Sequence, residues 1–218
     1  MPVFILDNST QMPSADLAEA DGLLAIGGDL RPERILNAYE MGIFPWYNEG
    51  EEILWWSPDP RSVLYPSELK VSKSMRQVLR KEEFEFRVDH DFQAVIEACR
   101  STPREGQDGT WITTEMKKAY SSLHEAGIAH SAEVYLDDSL VGGLYGLLIG
   151  KVFFGESMFS HQSNASKYAF IKWVEILKEK GVELIDCQIE SEHLNSLGAK
   201  NVSRARFLKE LKELISNK

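Results

Sequence analysis

The stretch SAEVYLDDSLVGGLYGLLIGKVFFGESMF, residues 131–159, decides the fold of this 218-residue chain. Its strand-like runs cover 131–135, 140–149 and 151–159, and Asp137-Asp138-Ser139 between the first two predicts a tight hairpin turn. A helical pattern ending at Gly181 and a short buried strand at 182–189 follow. Antiparallel strands, a crossover helix and a further strand together predict a mixed β-sheet flanked by helices, which is an α+β fold.

The first 63 residues differ in pattern from the rest of the chain. Turn signals such as Gly27-Gly28-Asp29 and Pro58-Asp59-Pro60 surround one predicted helix, at 32–41. Longer patterns farther along predict helices at 72–79, 91–99, 114–126 and near the C-terminus, and a strand at 85–88. We therefore predict a small N-terminal domain over residues 1–63 and a larger domain over residues 64–218.

Composition excludes several classes of protein. With 43% hydrophobic and 27% charged residues, the chain can bury a substantial core, so it is neither disordered nor collagen-like. Its longest weakly polar run, 140–150, is too short to span a bilayer, and the N-terminus lacks a signal-peptide pattern. We therefore expect a cytoplasmic protein with no membrane contact. The two cysteines are isolated and the five histidines lack ligand spacing, so we predict no metal site. The sequence also lacks a phosphate-binding motif, so we do not expect a bound nucleoside triphosphate.

The net charge of −10 is distributed unevenly. Residues 1–60 contain eleven acidic and two basic side chains, so the remainder is close to neutral. Within that remainder, 61–81 hold six basic residues against one acidic residue, and 200–218 hold six against two. Either segment could dock a polyanion. The stripe Lys73, Arg76 and Arg80, at helical spacing, is either an ordinary solvated face or a set of phosphate contacts.

Two of the predicted strands carry acids in otherwise apolar surroundings. At 182–189, alternation puts Asp186 and Gln188 on one face, and Glu156-Ser157 follows two phenylalanines in the preceding strand. Such groups are costly to bury unless a polar partner meets them. A buried arginine or a helix N-terminus would meet them structurally, whereas a cationic substrate or a reacting amine would use them chemically.

The tryptophans are concentrated near the N-terminus. Trp46, Trp55 and Trp56 lie in the loop-rich first segment, and Trp111 directly precedes a predicted helix. One interpretation is that these aromatic side chains pack in the interface between two domains, which suits Trp55 and Trp56 best. The other is a platform on which a nucleobase stacks.

Nine short motifs resemble those of a known family. They are GLL at 22–24 with GGDL at 27–30, GIFPW at 42–46, WWSPDPR at 55–61, GTWIT at 109–113, LVGG at 140–143, GESMFS at 155–160, NASK at 164–167, LIDCQ at 184–188 and LGA at 197–199. In this order and spacing, from residue 22 to residue 199, the chain resembles the leucyl/phenylalanyl-tRNA–protein transferases.

The resemblance implies a fold and an activity. The larger domain would be a GNAT-like acyltransferase domain. The family transfers Leu or Phe, and less readily Met, from aminoacyl-tRNA to the α-amine of proteins that begin with Arg or Lys, which marks them for proteolysis as N-degrons. An activated ester becomes a more stable amide in this reaction, so neither ATP, a metal nor any other cofactor is expected.

The resemblance also implies roles for individual residues. The terminal adenosine would be held by Trp46, Trp111, Tyr39 and Tyr120. The aminoacyl pocket would consist of Leu144, Phe153, Met158, Phe170, Trp173 and Ile185. The basic stripe of Lys73, Arg76 and Arg80 becomes the leading contact for the tRNA backbone.

The acceptor amine has to lose a proton before it can react, because the pKa of an α-amine is about 7.7–8.0. We expect the catalytic residues to be Asp186, Gln188 and Glu156, with Gln188 hydrogen-bonded to the amine and Asp186 holding or polarising it. The final proton acceptor is Asp186, a water or a ribose hydroxyl. Glu156 and Asp186, with Ser157 beside them, would bind the acceptor's basic N-terminal residue. Asp186→Ala should therefore reduce turnover far more than tRNA binding.

Two other functions compete with this hypothesis. A coenzyme A-dependent GNAT N-acyltransferase would share the fold, but 160–167 (SHQSNASK) contains no glycine cradle for a pyrophosphate. A non-catalytic RNA-binding module would explain the tryptophans and the basic stripe, but not the acids. Incubation with Leu-tRNA and an Arg-initiated peptide, repeated with acetyl-CoA, separates all three functions.

Overall fold

A computed structural model of the chain describes residues 3–102 and 111–216. Its strands are β1 (Phe4–Leu6), β2 (Leu23–Gly27), β3 (Phe44–Pro45), β4 (Leu54–Trp56), β5 (Arg61–Leu64), β6 (Glu85–Val88), β7 (Ala129–Leu136), β8 (Ser139–Ile149), β9 (Val152–Ser160), β10 (Leu184–Gln188) and β11 (Lys200–Val202). Its helices are α1 (Pro32–Glu40), α2 (Lys73–Lys81), α3 (Phe92–Ser101), α4 (Thr114–Glu125), α5 (Ala165–Glu179), α6 (Glu192–Ser196) and α7 (Arg204–Ile215).

The described strands form two sheets. A four-stranded sheet has the order β1-β2-β4-β3, and a seven-stranded sheet has the order β11-β5-β10-β9-β8-β7-β6. In the larger sheet the pairing is antiparallel except between β9 and β10, which α5 connects. The α+β prediction, with a mixed sheet flanked by helices, is confirmed.

Local sequence explains where the main elements begin and end. Asp137 and Asp138 both have positive φ, the conformation that a two-residue hairpin turn between β7 and β8 requires. Thr113 caps α4 by accepting a hydrogen bond from the Met116 amide at 3.1 Å. Gly142 lets α5 approach β8 closely, because a Cβ there would lie 2.5 Å from that of Ala165.

Apolar side chains cover both faces of the larger sheet. On one face α5 and α2 bury residues such as Trp173 and Met75 against the strands. On the other face, residues of the N-terminal segment such as Tyr39 share a core with residues of α4 and α7. The Tyr39 ring meets the Phe154 ring of β9 edge-on, with centroids 5.2 Å apart. The N-terminal segment and the larger sheet therefore have a common core.

The structure differs from the sequence predictions mainly near the N-terminus. The segment predicted as turns and one helix also contains β1 to β4, whose lengths of two to five residues leave no measurable periodicity. Strand β5 pairs within the larger sheet, so the division between sheets falls before Arg61 and not after residue 63. The longer predicted helices and strands agree with the structure to within about two residues. Residues 103–110, predicted as a loop and including part of GTWIT, lie outside the described residues.

Candidate active site

The candidate site lies where two parallel strands separate. β9 and β10 pair from Leu184 opposite Val152 to Asp186 opposite Phe154, and no pairing continues beyond that point. The segments that follow, which carry Glu156 and Gln188, are therefore free to line a cavity. A crevice at the carboxyl ends of diverging strands is a common place for a ligand.

The cavity has a volume of about 640 Å³, enough for a nucleoside with an attached amino acid. It reaches from the N-terminal sheet across the larger sheet to α5 and α6. Its walls include Phe44, Trp46, Trp111, Leu144, Phe153, Glu156, Ser157, Met158, Phe170, Ile185, Asp186, Cys187, Gln188, Ile189, Glu190, Ser191, His193 and Leu194. Aromatic and apolar side chains form most of the surface, and its polar side chains include Glu156, Asp186 and Gln188.

Glu156 is the centre of a hydrogen-bond network. Its Oε1 accepts from the Tyr39 hydroxyl at 2.7 Å and from Gln188 Nε2 at 3.2 Å, and its Oε2 accepts from the Tyr120 hydroxyl at 2.9 Å. The two hydroxyl oxygens are 2.6 Å apart. Three contacts thus connect two hydroxyls and one carboxyl, but the hydroxyls carry only two hydrogens. A proton on Glu156 would let the carboxyl donate to one tyrosine oxygen, and the hydrogen of that tyrosine could then lie between the two hydroxyls.

Burial favours that proton. Desolvation raises the pKa of Glu156 to about 7, reinforced by the nearby Asp186 charge and opposed by the hydrogen bonds from Tyr39, Tyr120 and Gln188. Burial also raises the pKa of both tyrosines well above 10, so they remain hydrogen donors. Glu156 therefore exchanges a proton near neutral pH, close to the pKa of an α-amine.

The structure gives Asp186, which was expected to hold or polarise the amine, a partner within the protein. Its side chain is fully buried, and it forms a bidentate ion pair with Arg61, from Nε to Oδ1 at 2.8 Å and from Nη2 to Oδ2 at 2.6 Å. Arg61 is itself enclosed by the rings of Phe44 and Phe207. The charge of the buried Asp186 carboxylate is therefore compensated by Arg61, and the buried arginine is the structural partner that the sequence left as an alternative.

Gln188 is held in place by the same ion pair. The backbone amide of Gln188 donates to Asp186 Oδ1 at 2.9 Å. Its φ is 61°, and a bulge against β5 separates it from Asp186. The expected alternation, with both residues simply sharing one strand face, therefore fails at Gln188. The bulge re-aims this side chain toward Glu156, across the gap between the strands.

Trp46 and Trp111 line the same cavity. Trp56 supports Trp46, because its Nε1 donates to the Trp46 carbonyl at 2.7 Å and the two rings are 5.9 Å apart. Tyr39 and Tyr120, expected to contact the adenosine, are fully buried and lie behind Glu156. Their hydroxyls donate hydrogen bonds to Glu156, and neither residue lines the cavity.

Five of the six residues expected to form the aminoacyl pocket lie at the cavity wall. Leu144, Phe153, Met158, Phe170 and Ile185 all line the cavity. Trp173 does not: it packs behind Phe153, with ring centroids 5.5 Å apart, and supports the pocket from the second layer.

The basic stripe lies on α2. Lys73, Arg76 and Arg80 are exposed, and in residues 3–102 and 111–216 none of them forms an ion pair with another side chain. Arg61, counted in the same basic segment, is buried and unavailable to a polyanion. In the C-terminal basic segment, Arg206 pairs with Glu210, so α2 carries the less compensated charge.

Sequence reasoning missed several residues of the site. Glu190 and His193 line the cavity, Arg61 pairs with Asp186 of its wall, and burial lowers the pKa of His193. A signal for Arg61 was available, since an arginine that opens an apolar strand needs an acid such as Asp186. Glu190 and His193 have no comparable signal, because only the path of the chain after β10 brings them to the cavity.

The described ranges contain no group of three or more His, Cys, Asp or Glu side chains that could hold a metal ion. Nor do they contain a helix with the length and apolar character to cross a membrane.

Comparison with known proteins identifies the family. Residues 63–212 match the family described as leucyl/phenylalanyl-tRNA protein transferase, and residues 28–59 match its N-terminal domain. The leucyl/phenylalanyl-tRNA–protein transferase of Christiangramia forsetii is 54% identical over 209 residues, covering 95% of this chain and 99% of the relative. That of Azotobacter vinelandii is 59% identical over 191 residues, covering 88% and 84%. Among solved structures, a GCN5-related N-acetyltransferase from Kribbella flavida has a TM-score of 0.39 and 13% identity, covering 76% of this chain and 58% of that chain. The family matches and the high identity along nearly the whole chain show that the protein belongs to the leucyl/phenylalanyl-tRNA–protein transferase family.

Proposed function

We propose that this protein transfers leucine or phenylalanine, and less readily methionine, from aminoacyl-tRNA to the α-amine of proteins that begin with Arg or Lys. The products are N-degrons, and the reaction takes place in the cytoplasm, where charged tRNA is found. The observation that carries the proposal is one cavity with two tryptophans, an apolar pocket and a Glu156–Gln188 pair at the gap between β9 and β10.

The donor occupies the longer part of this cavity. Its terminal adenine stacks on Trp46 and Trp111, and base stacking contributes about 1–3 kcal/mol per base. Its leucine or phenylalanine side chain enters the pocket of Leu144, Met158 and Phe170. The tRNA backbone extends to α2, where the unpaired charges of the basic stripe meet phosphates.

The acceptor amine binds beside Gln188 and Glu156. Glu156 accepts one proton from the incoming ammonium group, a nearly balanced transfer because both pKa values lie near neutrality. The neutral amine nitrogen attacks the ester carbonyl carbon, a C–N bond forms and the bond to the ribose oxygen breaks. The second amine proton ends on that ribose oxygen, so no oxidant, ATP or metal enters the balance.

Gln188 orients the nitrogen by accepting one of its hydrogens at Oε1 while its Nε2 donates to Glu156. Asp186 is a positioning residue in this mechanism, since it acts through the Gln188 amide and Arg61.

The activity assay uses the purified full chain with labelled Leu-tRNA and an Arg-initiated peptide. We expect the peptide mass to increase by one leucine residue, and we expect no product from acetyl-CoA or from the same peptide with an acetylated N-terminus. Trp46→Ala should raise the KM for aminoacyl-adenosine. Acetyl transfer, or RNA binding without any transfer, would reject the proposal in favour of one of its two alternatives.

A further inference from the structure

Three carboxylates line the cavity within the described residues: Glu156, Asp186 and Glu190. Asp186 is neutralised by Arg61, and Glu156 accepts hydrogen bonds from two tyrosine hydroxyls and the Gln188 side-chain amide. An acceptor that begins with Arg or Lys brings two cationic groups, its α-amine and its side chain. If Glu156 binds the α-amine, the basic side chain of the acceptor needs a different carboxylate. Of the three carboxylates that line the cavity, Glu190 is the one left for it.

Glu190 is a fixed and ionised group. Asn195 Nδ2, on α6, donates to its Oε1 at 2.8 Å, and Asn201 Nδ2, on β11, donates to its Oε2 at 2.6 Å. These hydrogen bonds lower the pKa of Glu190, so the carboxylate stays charged at neutral pH. The residue is exposed, and no Lys, Arg or His among the described residues forms an ion pair with it. Each carboxylate oxygen accepts two hydrogen bonds, so capacity remains for a ligand.

Glu190 is also within reach of an acceptor placed at Gln188. Two residues of chain span at most about 7 Å, so the two Cα atoms are close. The long side chain of an arginine or a lysine can bridge that distance from an amine held at Gln188, whereas short side chains cannot.

We propose that Glu190 is the residue that selects a guanidinium or ammonium side chain on the first residue of the acceptor. This inference rests on the proposed function. In this inference Glu190, at the mouth of the cavity, provides the specificity for a basic first residue. Glu156 binds the α-amine of that residue. Two neutral amides hold the carboxylate instead of a lysine or an arginine, which orients it without cancelling its charge.

The test compares Glu190→Gln with Glu192→Gln. Both substitutions remove one exposed negative charge, but Glu192 does not line the cavity. For an Arg-initiated peptide we expect Glu190→Gln to raise the KM about tenfold and to change kcat less than twofold. The KM for Leu-tRNA should not change, and Glu192→Gln should behave as wild type in every assay. Raising the salt concentration should reduce the difference between Glu190→Gln and wild type.

Two further variants separate recognition from folding. Glu190→Arg should eliminate use of Arg- and Lys-initiated peptides while transfer to a peptide with a neutral first residue, measured at high peptide concentration, persists. Asn201→Ala keeps the charge but removes one restraint, so it should raise the peptide KM less than Glu190→Gln does. If Glu190→Gln transfers to Arg-initiated peptides with the wild-type KM, this inference is wrong although the proposed function stands. If the wild-type chain transfers nothing from Leu-tRNA, the proposed function itself fails.

Discussion

At the scale of single residues, the ion pair between Arg61 and Asp186 connects folding with chemistry. The pair is buried between β5 and β10, and it fixes the backbone of Gln188 through one hydrogen bond from the Gln188 amide. Breaking a buried pair by removing one partner leaves the other charge uncompensated. A loss of activity after such a change therefore reports misfolding as well as mechanism.

Asp186→Ala is accordingly predicted to lower the free energy of unfolding by about 3–5 kcal/mol, measured by denaturant titration. The double variant Arg61→Met with Asp186→Leu should recover most of that stability, because both buried charges are gone. Transfer should remain low in the double variant, because the Gln188 amide has lost its acceptor. A double variant that is both stable and fully active would show that Asp186 does not position Gln188.

Glu156 gives the reaction a characteristic pH dependence. Transfer by this mechanism requires ionised Glu156, so kcat should rise with pH through about 7. Glu156→Gln should be about a hundredfold slower than wild type at pH 7, and the deficit should shrink toward pH 9, where the amine is already neutral.

Tyr39→Phe provides the matched control for that profile. The Tyr39 hydroxyl lowers the pKa of Glu156, so its removal should move the rising limb of kcat to higher pH. A pH profile that is unchanged in Tyr39→Phe, or a Glu156→Gln deficit that is the same at pH 7 and pH 9, would argue against Glu156 as the proton acceptor.

At the scale of elements, the bulge in β10 and helix α2 make different contributions. The bulge turns Gln188 toward the gap between β9 and β10, where its side chain donates to Glu156. Helix α2 lies on the face covered by α5 and buries Met75, while its basic side chains point outward. Because α2 carries unpaired positive charge outside the cavity, we propose that it contributes to binding of the tRNA and not to the transfer step.

Replacing Arg76 and Arg80 with Glu should therefore raise the KM for Leu-tRNA. The KM of this variant should also change less with salt concentration, because fewer counterions are released on binding. Transfer from a minimal aminoacyl-adenosine should be unaffected. Lys209→Glu with Lys212→Glu, on α7, produces the same change in net charge and serves as the control. Equal effects of the two double variants would point to an effect of the protein's net charge and not to a tRNA contact on α2.

At the scale of the whole molecule, the two sheets depend on each other. Tyr39 of α1 contacts Phe154, Tyr120 and Glu156 of the larger sheet and α4, and Trp46 enters the cavity from the N-terminal side. Side chains of the predicted N-terminal domain therefore pack directly against the larger sheet.

A fragment that begins at Arg61 is predicted not to unfold cooperatively, in contrast to the full chain. Removing the N-terminal segment exposes several core side chains, each of which contributes about 1.5–3 kcal/mol when buried, against a typical total stability of 5–15 kcal/mol. Thermal unfolding followed by circular dichroism measures this difference. A sharp transition in the fragment would show that the larger sheet folds alone.

The long elements, the mixed sheet and the family could be predicted from the sequence, because they depend on local periodicity, turn residues such as Asp137 and Asp138, and the order of motifs. The sequence also indicated that Asp186 and Glu156 need polar partners. The tertiary structure decided which partners they have: Arg61 for Asp186, and two tyrosines and Gln188 for Glu156. It also placed Trp173 behind the pocket and Glu190 at its mouth. These pairings join residues up to 125 positions apart in the chain, and such contacts follow from how sheets and helices pack, which no local pattern encodes.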